Sequence, residues 1–219
     1  MPAYTTDALI LRTHKLGESD RIVVFLTRDR GKKRGVAKNS RQSRRRFGGA
    51  LEPLTCGRVS YVERERRDLV QLLYVEAIRS PLAVAKSGDP DSDEALGYLG
   101  YFAELIDEWA PEADPNETLF RLGASMVDAL ISGVRIEPLA RYFEYWLLRL
   151  QGVYEPDARL SADARAFLAA ARASSPFALA DVPVSPQALR ELETAHRELI
   201  ATHLEKDLRS LRVLREMRR

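Results

Sequence analysis

The chain has 219 residues, of which 45% are hydrophobic and 30% charged, and its formal net charge is +2. This length allows one large domain or two small ones, and the composition is that of a folded globular protein, which excludes extended disorder and fibrous repeats. No uncharged apolar stretch reaches the roughly 18 residues that span a bilayer, and the start of the chain is too charged for a secretory signal. We therefore expect a cytoplasmic protein without a membrane partner.

Charge is distributed unevenly along the chain. Residues 1–80 carry 18 Lys and Arg against 9 Asp and Glu, a net charge of +9, whereas residues 81–219 have a net charge of −7. The contrast is sharpest between Arg28–Arg46, with ten basic residues and one acidic, and Asp89–Glu117, with ten acidic residues and no basic one. Because a basic segment attracts polyanions and an acidic segment repels them, we predict two domains with different partners, 1–80 and 81–219.

The first eighty residues have the pattern of short strands rich in apolar, β-branched and aromatic residues. The turn at Asp29–Lys32 contains Gly31, which supplies the positive φ of a hairpin. Five strands at this spacing predict a small antiparallel barrel, in which the last strand is central or closes the barrel. The predicted strands are Ala8–Leu11, Arg21–Thr27, Lys32–Lys38, Arg58–Glu63 and Asp68–Ile78.

From Pro81 onward the apolar period changes to that of helices. The residues that signal the start of a helix are Asn116, Pro138, Ser161 and the Ser185–Pro186 pair. Since such apolar stripes must be buried against one another, we predict an all-α bundle over 81–219, with Lys86–Pro90 as the most linker-like stretch. The first stripe consists of Leu99, Phe102, Ile106 and Trp109.

The segment Arg41–Gly49 carries the strongest functional signal. Its arginines cannot all pair internally, because the nearby chain offers almost no carboxylates, and guanidinium groups bind phosphates in bidentate geometry. Phe47 either stacks on a base or anchors the loop in the core, and the arginines alternatively form a solvated loop. The predicted nucleic-acid-binding residues are Arg30, Lys32, Lys33, Arg34, Lys38, Arg41, Arg44, Arg45, Arg46 and Phe47.

No motif of a catalytic centre is present, neither a Walker phosphate loop nor G-x-S-x-G nor H-E-x-x-H, so we predict that the protein is not an enzyme. A single cysteine and three scattered histidines cannot build a closed tetrahedral metal site, so we expect folding without metal or cofactor. His196 and His203 lie seven residues apart on one stripe and are expected to pack as a hydrogen-bonded pair. Cys56 is expected to be a small buried hydrophobic residue.

Short segments along almost the whole chain match a known family in their order and spacing. They are Asp7–Arg12, Gly17–Arg21, Thr27 with Gly31–Lys32, Val36–Lys38, Phe47–Pro53, Leu119–Phe120, Phe143–Gly152 and the closing helix Leu204–Leu214. They resemble the bacterial recombination mediators of the RecO family. Asn39 replaces the usual glycine after Val-Ala-Lys, and asparagine tolerates the same left-handed backbone. Many members have a four-cysteine zinc motif, but Glu155–Arg159 runs on without a cysteine, so zinc is not carried over.

The resemblance implies an OB-fold, a helical domain and a role without covalent catalysis. Members bind single- and double-stranded DNA at the nucleoid, anneal strands coated by single-strand-binding protein (SSB), and with RecR help load RecA. The resemblance also implies that a cleft in the helical domain holds the acidic C-terminal tail of SSB, with Arg121, Arg141 and Tyr142 as candidates. Arg141 is difficult to assign to a core, because burying an unpaired guanidinium is costly.

Two other functional classes stay open at this point. An RNA-binding translation or processing factor would use the same barrel surface, since arginine-rich loops bind both kinds of backbone. A nuclease with an acidic metal site is disfavoured, because the acidic cluster lies outside the basic half of the chain.

Overall fold

The computed structural model describes residues 2–63, 68–82 and 91–217. In these ranges a five-stranded closed barrel is followed by a region of helices, which confirms the predicted fold class. The predicted linker Lys86–Pro90 lies outside the described residues. No helix of the described ranges is long and apolar enough to cross a membrane.

The barrel closes in the strand order β1-β2-β3-β5-β4. Its strands are β1 (Ala3–Leu16), β2 (Asp20–Thr27), β3 (Lys32–Ala37), β4 (Cys56–Val62) and β5 (Val70–Arg79). The expectation of a purely antiparallel barrel is wrong for one pair, because β3 and β5 run parallel. The reason is that β4 pairs with β1 rather than with β3, so the β4–β5 hairpin returns to β3 in the same direction.

Two positive-φ positions lie on either side of β3 in the basic segment. Gly31, in the β2–β3 turn, has φ +67°, and a Cβ there would lie 2.4 Å from backbone atoms of Asp114. Only glycine combines that backbone conformation with so close an approach. Asn39 follows β3 with φ +52°, which confirms that asparagine takes the left-handed turn expected of it.

The helices begin largely where the sequence signals place them. The side chains of Asn116 and Ser185 accept hydrogen bonds from Leu119 N and Ala188 N, as N-caps do. The predicted closing helix is instead interrupted at Glu205, which has φ +51°. The described helices are α1 (Arg44–Phe47), α2 (Asp91–Trp109), α3 (Glu117–Ile131), α4 (Ile136–Leu150), α5 (Ala162–Ala173), α6 (Pro186–Leu204) and α7 (Arg209–Met217), with a 3-10 turn at Pro176–Asp181.

The barrel and the helices share one hydrophobic core. Leu9, Leu26 and Cys56 of the barrel belong to the same buried cluster as Phe102 of α2 and Phe143 of α4. A second cluster fills the barrel interior. The barrel is therefore packed against the helical region rather than tethered to it.

Ion pairs across this junction join basic residues of the barrel to acidic residues of α2, α3 and the segment between them. They are Arg12–Asp107 (3.3 Å), Arg28–Glu117 (2.6 Å), Lys32–Asp107 (3.3 Å), Arg34–Glu112 (2.6 Å) and Arg79–Asp128 (2.7 Å). Part of the charge contrast between the two halves of the sequence is thus neutralised inside the molecule.

Candidate nucleic-acid interface

One exposed basic segment of the barrel is the loop Lys38–Arg46, which we call the arginine loop. Its start is held by the Asp20 carboxylate, which accepts a hydrogen bond from Asn39 N at 2.8 Å. The loop then enters the single turn of α1. In the described part of the chain, its basic side chains form no ion pair with a carboxylate, and all but Arg46 are exposed. These side chains are Lys38, Arg41, Arg44, Arg45 and Arg46.

Contacts beneath the arginine loop hold its backbone in place. Arg46 donates from Nε to Ser43 Oγ (2.9 Å) and from Nη2 to Lys38 O (2.8 Å). Phe47 is 2% exposed and belongs to the barrel core. The prediction that Phe47 stacks on a base is therefore wrong, and its alternative as a core anchor is right. With the backbone held by these contacts, Arg44 and Arg45 remain exposed to solvent.

The four other cations predicted to contact nucleic acid are paired with carboxylates. The pairs are Arg30–Asp29 (3.7 Å), Lys32–Asp107 (3.3 Å), Lys33–Glu63 (2.9 Å) and Arg34–Glu112 (2.6 Å). Lys32 is 8% exposed, and its Nζ also donates to Asp107 O. The prediction for Lys32 is therefore wrong, because a buried, paired ammonium cannot reach a phosphate. For Lys32, Lys33 and Arg34 the tertiary structure supplies carboxylates that the neighbouring sequence lacks.

In the helical region, Arg141 is 1% exposed and lies 3.1 Å from Glu144. Its second carboxylate, Glu193, is 3.8 Å away, and Nη2 donates to Tyr98 Oη at 3.3 Å. Arg141 is thus a core residue, contrary to the expectation from the sequence. One helical turn further along α4, Glu144 provides the buried counter-ion that makes its burial tolerable.

Glu144 is the centre of this buried network and is not among the residues predicted from the sequence. Its carboxylate accepts from Tyr101 Oη (2.9 Å) and lies 3.1 Å from His196 Nδ1. Burial alone would raise the pKa of Glu144, but the charge of Arg141 and the hydrogen bond with His196 outweigh it, so that pKa lies below its ordinary value. The available signal was an acidic residue on the apolar face of α4, three positions after an arginine.

The two histidines of α6 do not form the predicted pair. His196 is buried against Glu144, whereas His203 is exposed, with Nδ1 3.3 Å from Leu199 O. Cys56 is buried as its strand pattern predicts, and burial raises the pKa of its thiol to about 11. Among the residues that the structure describes, no group of three or more His, Cys, Asp or Glu is placed to hold a metal ion.

The three residues predicted for the SSB tail do not converge. Arg141 lines a cavity of about 190 Å³ between α4 and α6, whose walls include Leu189 and Arg190. Tyr142 is 6% exposed and donates from Oη to Ser174 O at 3.4 Å, away from this cavity. Arg121 is exposed on α3 and is not part of the cavity lining. The prediction for Tyr142 as a partner contact is wrong, because its ring is buried.

This structure defines a class of protein with an N-terminal OB-like barrel, an exposed arginine loop and a C-terminal helical region. The family models described as Recombination protein O N terminal and Recombination protein O C terminal match residues 1–81 and 92–158. The chain therefore belongs to the RecO family of DNA repair proteins, which confirms the resemblance found in the sequence.

Curated relatives agree with this assignment. The DNA repair protein RecO of Koribacter versatilis (strain Ellin345) is 43% identical over 152 residues, which cover 69% of this chain and 59% of the relative. RecO of Anaeromyxobacter sp. (strain K) is 40% identical over 157 residues, with 72% and 59% covered. In these matches the chain spans about three fifths of the relative's length. The match to RecO of Geobacter metallireducens, at 32% identity, covers 99% of each chain.

Proposed function

We propose that this protein binds single- and double-stranded DNA, anneals complementary strands and, together with RecR, helps load RecA onto single strands coated by SSB. The observation that carries the proposal is the arginine loop, whose basic side chains have no carboxylate partner among the described residues. It lies on an OB-like barrel, a fold whose surface loops bind nucleic-acid strands. Membership of the RecO family supports the RecR and RecA parts of the proposal.

The chemistry of the arginine loop suits a mediator that acts on any sequence. Guanidinium groups bind phosphate oxygens in bidentate geometry, and phosphate contacts carry no sequence information. Because Phe47 is buried, the described loop offers cations rather than a stacking ring. We infer that the loop holds the DNA backbone and leaves the bases accessible for pairing, which annealing requires.

An annealing assay tests this function directly. We expect the protein to accelerate the pairing of complementary SSB-coated strands, followed by fluorescence transfer between end labels, and to leave both strands intact when magnesium is present. Competition of labelled single-stranded DNA against RNA of the same sequence is the control. RNA that displaces DNA at equal concentration, without acceleration of annealing, would instead indicate an RNA-binding factor.

We also propose that the cavity beside Arg141 receives the acidic C-terminal tail of SSB. Pro186 and Leu189 offer apolar walls, and Arg190 is an exposed cation at the same cavity. A peptide that ends in an apolar side chain and a carboxylate needs both of these features. Arg141 is paired with Glu144, so the exposed Arg190 is better placed to bind the terminal carboxylate.

We expect Arg190→Ala to weaken binding of a synthetic SSB-tail peptide by about 1.5–3 kcal/mol, the range for a hydrogen bond to a charged group. Fluorescence anisotropy of the labelled peptide measures this loss. Arg121→Ala is the matched control, because Arg121 is also exposed on the helical region but lies outside the cavity. Equal peptide affinities for both variants would mean that the SSB tail does not bind in this cavity.

A further inference from the structure

A second cavity, which none of the sequence-based predictions includes, opens at the C-terminal end of α4. Its volume is about 450 Å³, within the range of about 300–1,000 Å³ in which small-molecule sites fall. Two tyrosines line it, Tyr145 and Tyr154, with ring centroids 4.9 Å apart and ring planes at 82°. Leu168 of α5 and Pro156 extend the apolar wall. Aromatic and apolar surfaces thus face one open space.

Two arginines, Arg149 and Arg172, line the same cavity, and both are exposed. Arg149 is oriented by aromatic groups rather than by an acid. Its Nη1 donates to Tyr145 Oη at 3.1 Å, and its guanidinium carbon lies 5.7 Å from the ring centroids of Tyr145 and Trp146. Within the described ranges neither arginine forms an ion pair.

The carboxylate that contributes to the raised pKa of Tyr154 is already part of an ion pair. Asp157 contributes to the raised pKa of Tyr154, which is caused mainly by burial, and the Asp157 carboxylate is held by Arg159 at 2.8 Å. The two guanidinium charges of the cavity are therefore not neutralised by this neighbour. An anion is favoured at the cavity, and the adjacent rings favour an anion that carries a planar group.

A nucleotide has both of these features. Its phosphate suits the bidentate geometry of Arg149 or Arg172, and its base can stack on the half-buried ring of Tyr154, as bases do in single-strand-binding grooves. We propose that this cavity binds a nucleotide of single-stranded DNA and forms a strand-binding site on the helical region, separate in sequence from the arginine loop. The two sites together would let one protein hold two strands, a step that rests on the proposed function in annealing.

The test uses the full chain with Arg149→Ala and Arg172→Ala combined. The matched control combines Arg212→Ala and Arg215→Ala on α7, which removes the same charge from exposed positions of the helical region that do not line the cavity. Both double variants are also made in a protein that carries Arg44→Ala and Arg45→Ala. In that background, the remaining affinity for a labelled oligothymidine comes from sites outside the arginine loop.

We expect the cavity variant to lose about tenfold or more of that remaining affinity, since one stacked base or one phosphate contact has an effect of this order. We also expect it to slow the annealing of bare complementary strands about tenfold, while the α7 control matches its background. Tyr154→Leu, which leaves both arginines in place, should give a smaller loss in the same direction. Thermal unfolding shows whether each variant is folded, and Tyr154→Leu decides the question if the double variant is not.

The outcomes separate this proposal from the proposed function. Unchanged oligothymidine binding and annealing in the cavity variants, with a clear defect in the Arg44 and Arg45 variant, would overturn the cavity site alone. Full DNA affinity in the Arg44 and Arg45 variant would count against the proposed role of the arginine loop. An acidic peptide with a free terminal carboxylate is the second probe. If the cavity variants lose binding of this peptide but retain DNA binding, the cavity is a peptide site and the nucleotide proposal is overturned.

Discussion

Replacing Lys38, Arg44 and Arg45 together by alanine is expected to flatten the salt dependence of single-stranded DNA binding strongly. Each phosphate contact contributes roughly 0.7 to the slope of log affinity against log salt, so the loss of three contacts lowers the slope by about 2. These three side chains are exposed and have no carboxylate partner among the described residues. Titration of a labelled oligonucleotide at several salt concentrations measures the slope.

The same basic segment provides a matched control. Arg28, Lys33 and Arg34 carry the same total charge, but they are paired with Glu117, Glu63 and Glu112 at 2.6–2.9 Å. Their triple alanine variant should leave the slope nearly unchanged, because cations held by carboxylates make fewer phosphate contacts and so release fewer counterions from the DNA. If both triple variants flatten the slope equally, DNA binding depends on net charge and not on the arginine loop. If neither does, the DNA surface lies elsewhere.

The largest expected loss of stability follows from Glu144→Ala. Glu144 is fully buried and accepts from Tyr101, while it pairs with Arg141 at 3.1 Å. Removing Glu144 leaves the buried Arg141 with the more distant Glu193 carboxylate at 3.8 Å, and breaking a buried ion pair from one side costs about 3–5 kcal/mol. Urea unfolding monitored by circular dichroism measures this change in the free energy of unfolding.

Glu137→Ala on the same helix is the control for Glu144→Ala. The side chain of Glu137 is 43% exposed and pairs with exposed Arg135, so we expect a loss below about 1 kcal/mol. Similar losses in the two variants would mean that the buried network is not a source of stability.

The stabilising effect of Glu144 should depend on pH in a defined direction. Its pKa in the folded protein is lowered, because Arg141 and His196 outweigh the opposing effect of burial. The contribution of ionised Glu144 to the free energy of unfolding is therefore complete above the pKa of an unfolded glutamate, about 4.3. It is lost as the pH falls through the lower pKa of Glu144 in the folded protein. The difference in unfolding free energy between the wild type and Glu144→Gln should accordingly shrink as the solution is acidified below about pH 4.3.

Local signals in the sequence were sufficient for most of the secondary structure. Gly31 forms a turn, and Asn116 and Ser185 cap helices, because these effects depend on residues at most four positions apart. The exposure of Arg44 and Arg45 was also foreseeable, since the neighbouring chain offers almost no carboxylates. The order of the family segments along the chain likewise identified the family.

Only the tertiary structure decided which cations of the basic segment remain available. Arg34 and Glu112 are 78 positions apart, and Lys32 and Asp107 are 75 apart, so no local pattern joins them. They meet because the barrel and α2 bury one shared hydrophobic cluster, which brings the basic β2–β3 hairpin against the acidic end of α2. Burial of apolar surface determines how the two regions dock. The charges that docking brings within 4 Å then pair with each other, and those of the arginine loop apart from Arg46 stay exposed to solvent.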